Sequence, residues 1–356
     1  MVTRPSRLVD INVLRDLMQR LLVGAGCSRE TASEAATVFW EAELQGNPLQ
    51  GLDHMPTLLR CLTAGIIRPE GKPAVAKEGG AYLIVNGNRG PGPIAGMFAA
   101  DKAAAKAKTA GSCVVGVIDS GDMYMIGYYV ERMARAGCIG LVASDSAPYA
   151  HATGGMERVL GTNPIGIAFP TGGDPVVVDF ATSAYSASRV RHALQFGDSL
   201  PAGVALGPDG LPTREPQAAR EGAFDTFGDH KGFGLSLSVA LLSGVLMGGS
   251  VGKSMIGMGW TAAGSAKNVG RKGHFFLAID PAVFGDAGAF RDAVGRYLDA
   301  IRRSKAAPGG AAVRIPGDRA LARRLQSLRD GKVPIYDFVW RNTAELAREL
   351  GVAMPA

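Results

Sequence analysis

Histidine is scarce in this sequence, which has only five among its 356 residues: His54, His151, His192, His230 and His274. The histidine side chain titrates nearest to neutral pH, so it supplies much of the acid–base and metal chemistry of proteins. None of the five stands in an HExxH segment, and no two cysteines form a CxxC pair. These gaps disfavour a zinc hydrolase, a zinc ribbon and a thioredoxin-like dithiol, and we expect no metal site.

Cysteines are also few and far apart: Cys27, Cys61, Cys113 and Cys138. A chain of this length can bury a core without disulfides, so we expect four reduced, buried thiols. The N-terminal segment acquires charge at Asp10 and Arg15 before any long apolar run, which is not the pattern of a signal peptide. Both features favour a cytoplasmic protein.

Long apolar runs and runs of like charge are missing as well. The longest uncharged stretch, 232–252, is interrupted by glycines and serines and predicts a buried helix rather than a membrane span. The net charge is +6. The densest basic cluster, Arg302, Arg303 and Lys305, lacks the interleaved aromatic residues that a single-strand binder needs. We expect neither a membrane nor a nucleic acid as partner, whereas a mild positive excess suits small anionic ligands.

Hydrophobic periodicity predicts helices at both ends of the chain and strands between them. The predicted helices cover 9–24, 29–45, 55–65, 93–107, 126–136, 234–248, 290–303, 320–329 and 343–350, the last capped by Asn342. The predicted strands cover 81–85, 113–118, 139–144, 165–169, 176–180 and 274–279. Strands that alternate with helices indicate an α/β fold around a substantial sheet.

The glycine-rich GxGxxG segment of a Rossmann dinucleotide fold does not follow the first predicted strand. Four other segments occur instead: 160–164 (LGTNP), 178–183 (VDFATS), 230–234 (HKGFG) and 273–281 (GHFFLAIDP). In this order and spacing they resemble the malate/L-lactate dehydrogenase family that is unrelated to the Rossmann-type enzymes. That family includes ureidoglycolate dehydrogenase, diketogulonate reductase, sulfolactate dehydrogenase and piperideine-2-carboxylate reductase.

The resemblance implies an α/β fold with a non-Rossmann, mixed-sheet NAD(P)-binding domain and helical domains from the N- and C-terminal parts. We accordingly predict an N-terminal helical region at 1–75 and an α/β cofactor-binding domain, continuous or discontinuous, at 76–285. A C-terminal helical region at 286–356 should pack back on the N-terminal part. The resemblance further implies NAD or NADP as cofactor, a small carboxylate substrate, and a homodimer with each active site near the partner subunit.

Short hydroxyl donors and a lysine stand in the matching segments. Thr162 and Thr182 suit phosphate or amide contacts, and Lys231 suits pairing with a phosphate as a point charge. By resemblance, the residues that should contact the cofactor are Ser146, Thr162, Asp179, Ala181, Thr182, Ser183, His230, Lys231 and Gly273. The residues alone also allow Asp179 and Thr182 to be helix caps and His274 to be a core histidine, so the role of His274 stays open.

The chain departs from the family where members carry their acid–base and substrate groups. The first helical region of members normally contains Arg-Gly-x-Asp-Ser-His-Gly followed shortly by an Arg, and it matches 45–54 here. Gln45 replaces the first Arg, Gln50 replaces the His that acts as acid or base, and His54 replaces the substrate-binding Arg. In a second family pattern, Asn-Ser-x-His-x-Gly, the His position holds Asp122.

Reduction of a ketone produces an alkoxide, which needs a proton donor near neutral pH. Three interpretations therefore stay open. The substrate is an imine that arrives already protonated; a relocated group (Asp122, His54 or His151) supplies the proton; or the scaffold has left redox chemistry for cyclisation, isomerisation or ligand binding. His151 lies near Tyr149 in a stretch, 148–155, that lines the pocket in members.

The leading hypothesis is an NAD(P)H-dependent oxidoreductase that acts on a small 2-oxo acid or a cyclic imine carboxylate. Its catalytic candidates are Asp122, His151 and Gln50, and its substrate-binding candidates are His54, Gln45 and Tyr149. Structural alternatives exist for two of them, since Asp122 lies in a turn-like pair and His54 at a helix start. His192 is expected at the surface.

Overall fold

The structure, a computed structural model, describes residues 4–255 and 272–355. Its α-helices are α1 Ile11–Gly24, α2 Arg29–Leu44, α3 Met55–Thr63, α4 Gly92–Ala110, α5 Gly127–Arg135, α6 Ala187–Phe196, α7 Pro216–Glu221, α8 His230–Ala240, α9 Ala287–Arg302, α10 Asp318–Asp330 and α11 Asp337–Glu349. Its strands are β1 Ser6–Asp10, β2 Ala74–Glu78, β3 Tyr82–Asn86, β4 Ser112–Ser120, β5 Ile139–Ser144, β6 Ile165–Phe169, β7 Val176–Phe180, β8 Ala205–Leu206, β9 Ala223–Phe224, β10 Lys272–Ile279 and β11 Lys332–Tyr336.

The main sheet has seven strands in the order β2-β3-β4-β10-β5-β6-β7. Only the β3–β4 pair is parallel, and the other neighbours in this sheet run antiparallel. A Rossmann sheet is built from parallel strands in a different order. The expected α/β fold with a mixed, non-Rossmann sheet is confirmed, and all six predicted strands are present with small shifts of their ends.

The central core forms where α4 and α5 pack on the sheet. Ala95, Ala99 and Ala103 recur every four residues of α4 and are fully or almost fully buried, since this spacing puts them on one face of a helix. On the strand side, Cys113 and Val115 of β4 are completely buried. All four cysteines are buried free thiols, as the sequence predicts.

A second core joins the two ends of the chain. β1 pairs antiparallel with β11, and α1, α2 and α3 share a hydrophobic cluster with Val333, Ile335 and Phe338. The predicted region boundaries at 75/76 and 285/286 stay a prediction.

The C-terminal helix differs from its prediction. α11 begins at Asp337 rather than at 343, so Asn342 lies inside the helix and the prediction of Asn342 as its cap is wrong. The helix starts directly after β11, and Asp337 in its first turn complements the positive end of the helix dipole. β11 itself escaped prediction because a proline, Pro334, stands in the middle of its five residues and argues against a strand.

The uncharged stretch 232–252 forms most of α8 and a π-helical turn at Leu241–Val245. Val239 and Ser243 are buried, but the opposite face is open. Its exposed apolar residues are Leu237, Leu241, Leu242, Val245 and Leu246. The prediction of a fully buried helix is wrong for this face. No helix in 4–255 or 272–355 combines the length and the apolar character that a membrane crossing requires.

Candidate active site

A cleft of about 140 Å³ gathers polar residues from the first helical region, the sheet and α6. The sequence-predicted site residues that line it are Gln50, His54, Asp122, Ser146, Tyr149 and Thr162. Arg191 and Lys272, which sequence reasoning did not select, line the same cleft. The structure thus brings together four of the six catalytic and substrate-binding candidates and two of the cofactor-binding candidates, while Gln45 and His151 are not among the residues that line this cleft.

Asp122 is presented by a constrained loop that follows β4. The flanking residues Asp119 and Tyr124 have positive φ angles of 52° and 60°, a conformation that costs energy in non-glycine residues and clusters at functional sites. Gly92 packs directly against this loop. A Cβ at position 92 would overlap the Asp122 carbonyl oxygen. The tight packing fixes where the Asp122 side chain emerges.

Lys272 is the most informative residue that the sequence did not reveal. Lys272 pairs with Ser120 and His274 with Val117, so β4 carries the extra residue of a bulge opposite Gly273. Bulges re-aim side chains near active sites. The Lys272 side chain is only 7% exposed, and its ammonium group forms an ion pair with the Asp122 carboxylate. Burial lowers the pKa of Lys272 to about 7. The available signal was a lysine directly before the GHFF segment.

His274 has a structural role that closes the question left by the sequence. It is completely buried, with Nε2 3.0 Å from the Gly121 carbonyl and Nδ1 2.9 Å from the Ser144 hydroxyl. The carbonyl can only accept, so Nε2 carries the proton and Nδ1 accepts from Ser144. Burial lowers the pKa of His274 to about 3. The neutral ring ties the Asp122 loop to the end of β5.

His54 and Gln50 form a hydrogen-bonded pair across one turn of chain. The distance from His54 Nδ1 to Gln50 Oε1 is 3.1 Å, so Nδ1 donates and Nε2 remains an acceptor. The His54 ring also meets Tyr124 edge-on, with 5.1 Å between ring centroids. Burial lowers the pKa of His54 to about 4, and the positive charge of the nearby Arg191 acts in the same direction. His54 is therefore neutral near pH 7.

Arg191 reaches the cleft from α6, whose N-terminus is capped by Ser186 through a 3.3 Å bond to the Arg189 N–H. Its Nη2 contacts the Asp53 carboxylate, which also accepts from His192 Nε2 at 2.9 Å. His192 is 6% exposed, so the prediction of a surface position is wrong. The hydrogen-bond partner of His192, Asp53, lies far away in the sequence, so no local pattern marks this contact.

Ser146, Thr162 and Thr182 connect the loops that follow β5 and β7. The Thr162 N–H donates to the Ser146 hydroxyl at 2.8 Å, and their two hydroxyl oxygens are 3.1 Å apart. Thr182 is completely buried and donates to the Asn163 carbonyl at 3.0 Å. Thr182 thus has a full structural role, while Ser146 and Thr162 keep surface on the cleft.

Gln45 and Asp179 line a separate, larger cleft of about 1040 Å³. The Asp179 carboxylate accepts from the Gly127 N–H, the first residue of α5, at 2.8 Å. Asp179 thereby caps α5, which matches the structural alternative drawn from the sequence. A cofactor contact by Asp179 stays a prediction.

His151 is held away from the residues named for the small cleft. Its Nε2 lies 2.9 Å from Asp225 Oδ1 and its Nδ1 2.9 Å from the Ala152 carbonyl. Because the Ala152 carbonyl can only accept, Nδ1 donates to it. Both ring nitrogens are therefore engaged, and within the described chain His151 is not among the lining residues.

The remaining cofactor candidates lie outside the small cleft. His230 and Lys231 are exposed at the start of α8, whose first turn has no side-chain cap within the described residues. Ser183 donates to the Tyr185 carbonyl at 2.7 Å, and Ala181 precedes this turn, partly buried. Gly273 packs so closely on the π-helical turn that a Cβ would lie 2.2 Å from the Ser243 carbonyl oxygen. This packing alone requires a glycine.

In 4–255 and 272–355, no three His, Cys, Asp or Glu side chains are grouped as metal ligands would be. The site is instead organised by hydroxyls, a buried ammonium group and a guanidinium group.

Comparison with known proteins defines the class. A dehydrogenase from Sinorhizobium meliloti superposes with a TM-score of 0.88 at 32% identity, covering 96% of this chain and 98% of that chain. An L-sulfolactate dehydrogenase of Methanothermobacter thermautotrophicus is 31% identical over 94% of this chain and 95% of its own length. These relatives support an oxidoreductase on a mixed α/β scaffold.

The particular family follows from the sequence as a whole. The malate/L-lactate dehydrogenase family model matches residues 9–343, and the chain belongs to this family. Another relative, the Δ1-pyrroline-2-carboxylate/Δ1-piperideine-2-carboxylate reductase of Pseudomonas syringae pv. tomato, is 32% identical over 93% of this chain and 94% of its own length. The resemblance drawn from the four sequence segments is confirmed.

Proposed function

We propose that the protein uses NADH or NADPH to reduce a small 2-oxo acid or cyclic imine carboxylate in the small cleft. The observation that carries the proposal is the buried Lys272–Asp122 ion pair, which lies in the same cleft as Gln50 and Arg191. The pair supplies a proton donor where the family's histidine positions hold Gln50 and Asp122. The relatives act, by name, on sulfolactate and on pyrroline or piperideine carboxylates.

The N–H donors of the cleft support a carboxylate substrate. Arg191 and Lys272 contribute cationic groups, and His54 is neutral. Asp53 and Asp122 are engaged with these cations rather than free in the cleft. A guanidinium group and a buried ammonium group are strong partners for carboxylate oxygens. The volume of about 140 Å³ suits a small acid rather than a whole dinucleotide.

Proton delivery distinguishes the two substrate types. When a 2-oxo acid is reduced, the carbonyl carbon accepts a hydride and its oxygen must take a proton to give a 2-hydroxy acid. The ammonium group of Lys272 donates that proton, and Asp122 holds the group in place as the acceptor of the ion pair. A protonated cyclic imine already carries its proton, so its reduction to the cyclic amino acid needs no such donor.

Two observations support binding of a nicotinamide cofactor by the residues present. Ser146 and Thr162 place hydroxyl groups on the cleft wall. α8 begins with the exposed residues His230 and Lys231, and its N-terminus has no side-chain cap among the described residues. A helix N-terminus without a cap and with a lysine nearby suits the binding of a phosphate group. These residues would hold the cofactor, which supplies the hydride when bound.

We also propose that the protein is a cytoplasmic homodimer. The open apolar face of α8 and its π-helical continuation supports the dimer, because five aliphatic side chains between 37% and 62% exposed line it. Contiguous exposed apolar surface of this kind is typical of interfaces between subunits. The buried free thiols agree with a reducing compartment.

Fluorescence titration of the purified protein with NADH and NADPH tests the cofactor part of the proposal. Saturable binding of at least one nucleotide is expected. Failure of both to bind at millimolar concentration would overturn the proposal. Binding without turnover of any 2-oxo acid or cyclic imine would instead favour the alternative in which the scaffold has left redox chemistry.

A further inference from the structure

We propose that Arg191 is the group that binds the substrate carboxylate, and that Asp53 and His192 are positioning residues that hold it. This inference rests on the proposed function, since it names how the same cleft recognises its substrate. It assigns a binding role to a helix, α6, where the sequence predicts no site residue.

Arg191 is anchored at one end and open at the other. Its Nη2 contacts the carboxylate of Asp53, and the Asp53 carbonyl oxygen lies 3.4 Å from the same nitrogen. The Asp53 side chain is 6% exposed while that of Arg191 is 32% exposed. A guanidinium group has five N–H donors, and within the described chain the bonds formed use only Nη2. The Nε and Nη1 donors remain for a ligand.

Asp53 is itself held by a second donor. His192 Nε2 lies 2.9 Å from the same carboxylate oxygen that contacts Arg191. The ring of His192 is enclosed edge-on by Phe196, Tyr336 and Phe338, with centroid distances of 5.8, 5.6 and 5.2 Å. An imidazole packed on three sides cannot rotate freely, so it fixes the carboxylate that in turn fixes Arg191.

The electrostatic balance of this cluster keeps Asp53 ionised. Although burial acts to raise its pKa, the hydrogen bond from His192 and the charge of Arg191 outweigh that effect, and the pKa of Asp53 is lowered. The charged form of Asp53 is the one that orients a guanidinium group. The positive charge of Arg191 also helps to lower the pKa of His54, which places Arg191 close to that ring.

The arrangement agrees with the expectation, drawn from the resemblance, that His54 stands in place of a substrate-binding Arg. His54 is neutral and paired with Gln50. The adjacent residue, Asp53, contacts a guanidinium group that comes from α6. On this proposal, Arg191 supplies the carboxylate-binding cation of the cleft from α6.

Calorimetric titration with pyridine-2-carboxylate, and with pyridine-2-carboxamide as its uncharged counterpart, tests the proposal without turnover or cofactor. The wild-type protein should bind the carboxylate more tightly than the amide. Arg191→Gln should weaken carboxylate binding by about 10- to 100-fold and leave amide binding within about twofold, as expected for loss of a charged hydrogen bond. Equal affinities of wild type for the two compounds, including no binding of either, would overturn the proposal.

Matched variants separate positioning from folding. Arg189→Gln removes an exposed arginine from the same helix and should leave both affinities unchanged. Asp53→Asn should weaken carboxylate binding in the same direction as Arg191→Gln, and Asp53→Glu should restore part of it, with melting temperatures recorded for each. A loss of amide binding equal to that of carboxylate binding in Asp53→Asn would assign Asp53 a merely structural role. NADH and NADPH titrations of Arg191→Gln should match wild type, so failure of this proposal is distinguishable from failure of the proposed function.

Discussion

The ammonium group of Lys272 and the carboxylate of Asp122 form an ion pair in the cleft, although one residue opens β10 and the other lies in the loop after β4. Lys272 pairs with Ser120 at the end of β4, beyond the bulge in that strand. His274 ties the Asp122 loop to the end of β5 through Gly121 and Ser144. A proton donor thereby stands at the start of β10, the central strand of the sheet.

Removing the ammonium group should separate the two substrate types. In Lys272→Met the turnover number for a 2-oxo acid should fall by about 10²- to 10⁴-fold, the usual contribution of a general acid. Turnover of a cyclic imine carboxylate should change far less. Steady-state kinetics with both substrates measure this, and Lys305→Met, at an exposed position, serves as the control. Equal losses on both substrates would contradict a donor role for Lys272.

The pH dependence of ketone reduction should follow Lys272. Its burial lowers the pKa to about 7, and the donating form is the protonated one. The turnover number for a 2-oxo acid should therefore be constant at acidic pH and fall as the pH rises through about 7. A pH–rate profile checks this, and the profile of a cyclic imine substrate should not show the same step unless the imine itself titrates.

Glu43 should make stability depend on pH. Its carboxylate accepts from the Leu52 N–H at 2.7 Å, and burial raises the pKa of Glu43 to about 8. The folded state thus binds a proton that the unfolded state releases, and the free energy of unfolding falls with rising pH between the two pKa values. The slope contributed by one proton is about 1.4 kcal/mol per pH unit. Glu43→Gln should gain stability relative to wild type as the pH rises, measured by denaturant unfolding at several pH values. A pH-independent difference would contradict the account.

Replacement of His274 should lower the free energy of unfolding and not only the activity. His274→Phe removes the hydrogen bonds that the Ser144 hydroxyl and the Gly121 carbonyl form with the buried ring. Ser144 can still donate to the Asp145 carbonyl, and Gly121 still accepts from the Ser120 hydroxyl, so each lost bond should cost about 0.5–1.5 kcal/mol. Denaturant unfolding should show a corresponding decrease in the free energy of unfolding. A variant as stable as wild type would contradict the structural role of His274.

The open face of α8 and its continuation predicts the oligomeric state. Leu241→Asp and Leu246→Asp place a charge on side chains that are 48% and 62% exposed in the single chain. Light scattering after size-exclusion chromatography should report a dimer for wild type and a shift toward monomer for the variants. A monomeric wild-type protein would contradict the dimer.

The sequence predicted the sheet well because its strands carry continuous or alternating apolar residues, as in β4 and β10. It missed β2, which is exposed along its whole length and so has no apolar pattern. Gln50, His54 and Asp122, which the resemblance assigned to one site, line the same cleft, and their roles stay a prediction. For Lys272 the only signal was its position before the GHFF segment, and Arg191 carried none, because their partners Asp122 and Asp53 are adjacent to them only after folding.

The rate at which the purified protein oxidises NADH or NADPH in the presence of a 2-oxo acid or a cyclic imine carboxylate tests the central claim most directly. The account predicts substrate-dependent loss of nicotinamide absorbance with at least one nucleotide and at least one of the two substrate types, and its slowing in Arg191→Gln. Saturable nucleotide binding with no oxidation above background across a panel of both types would contradict it.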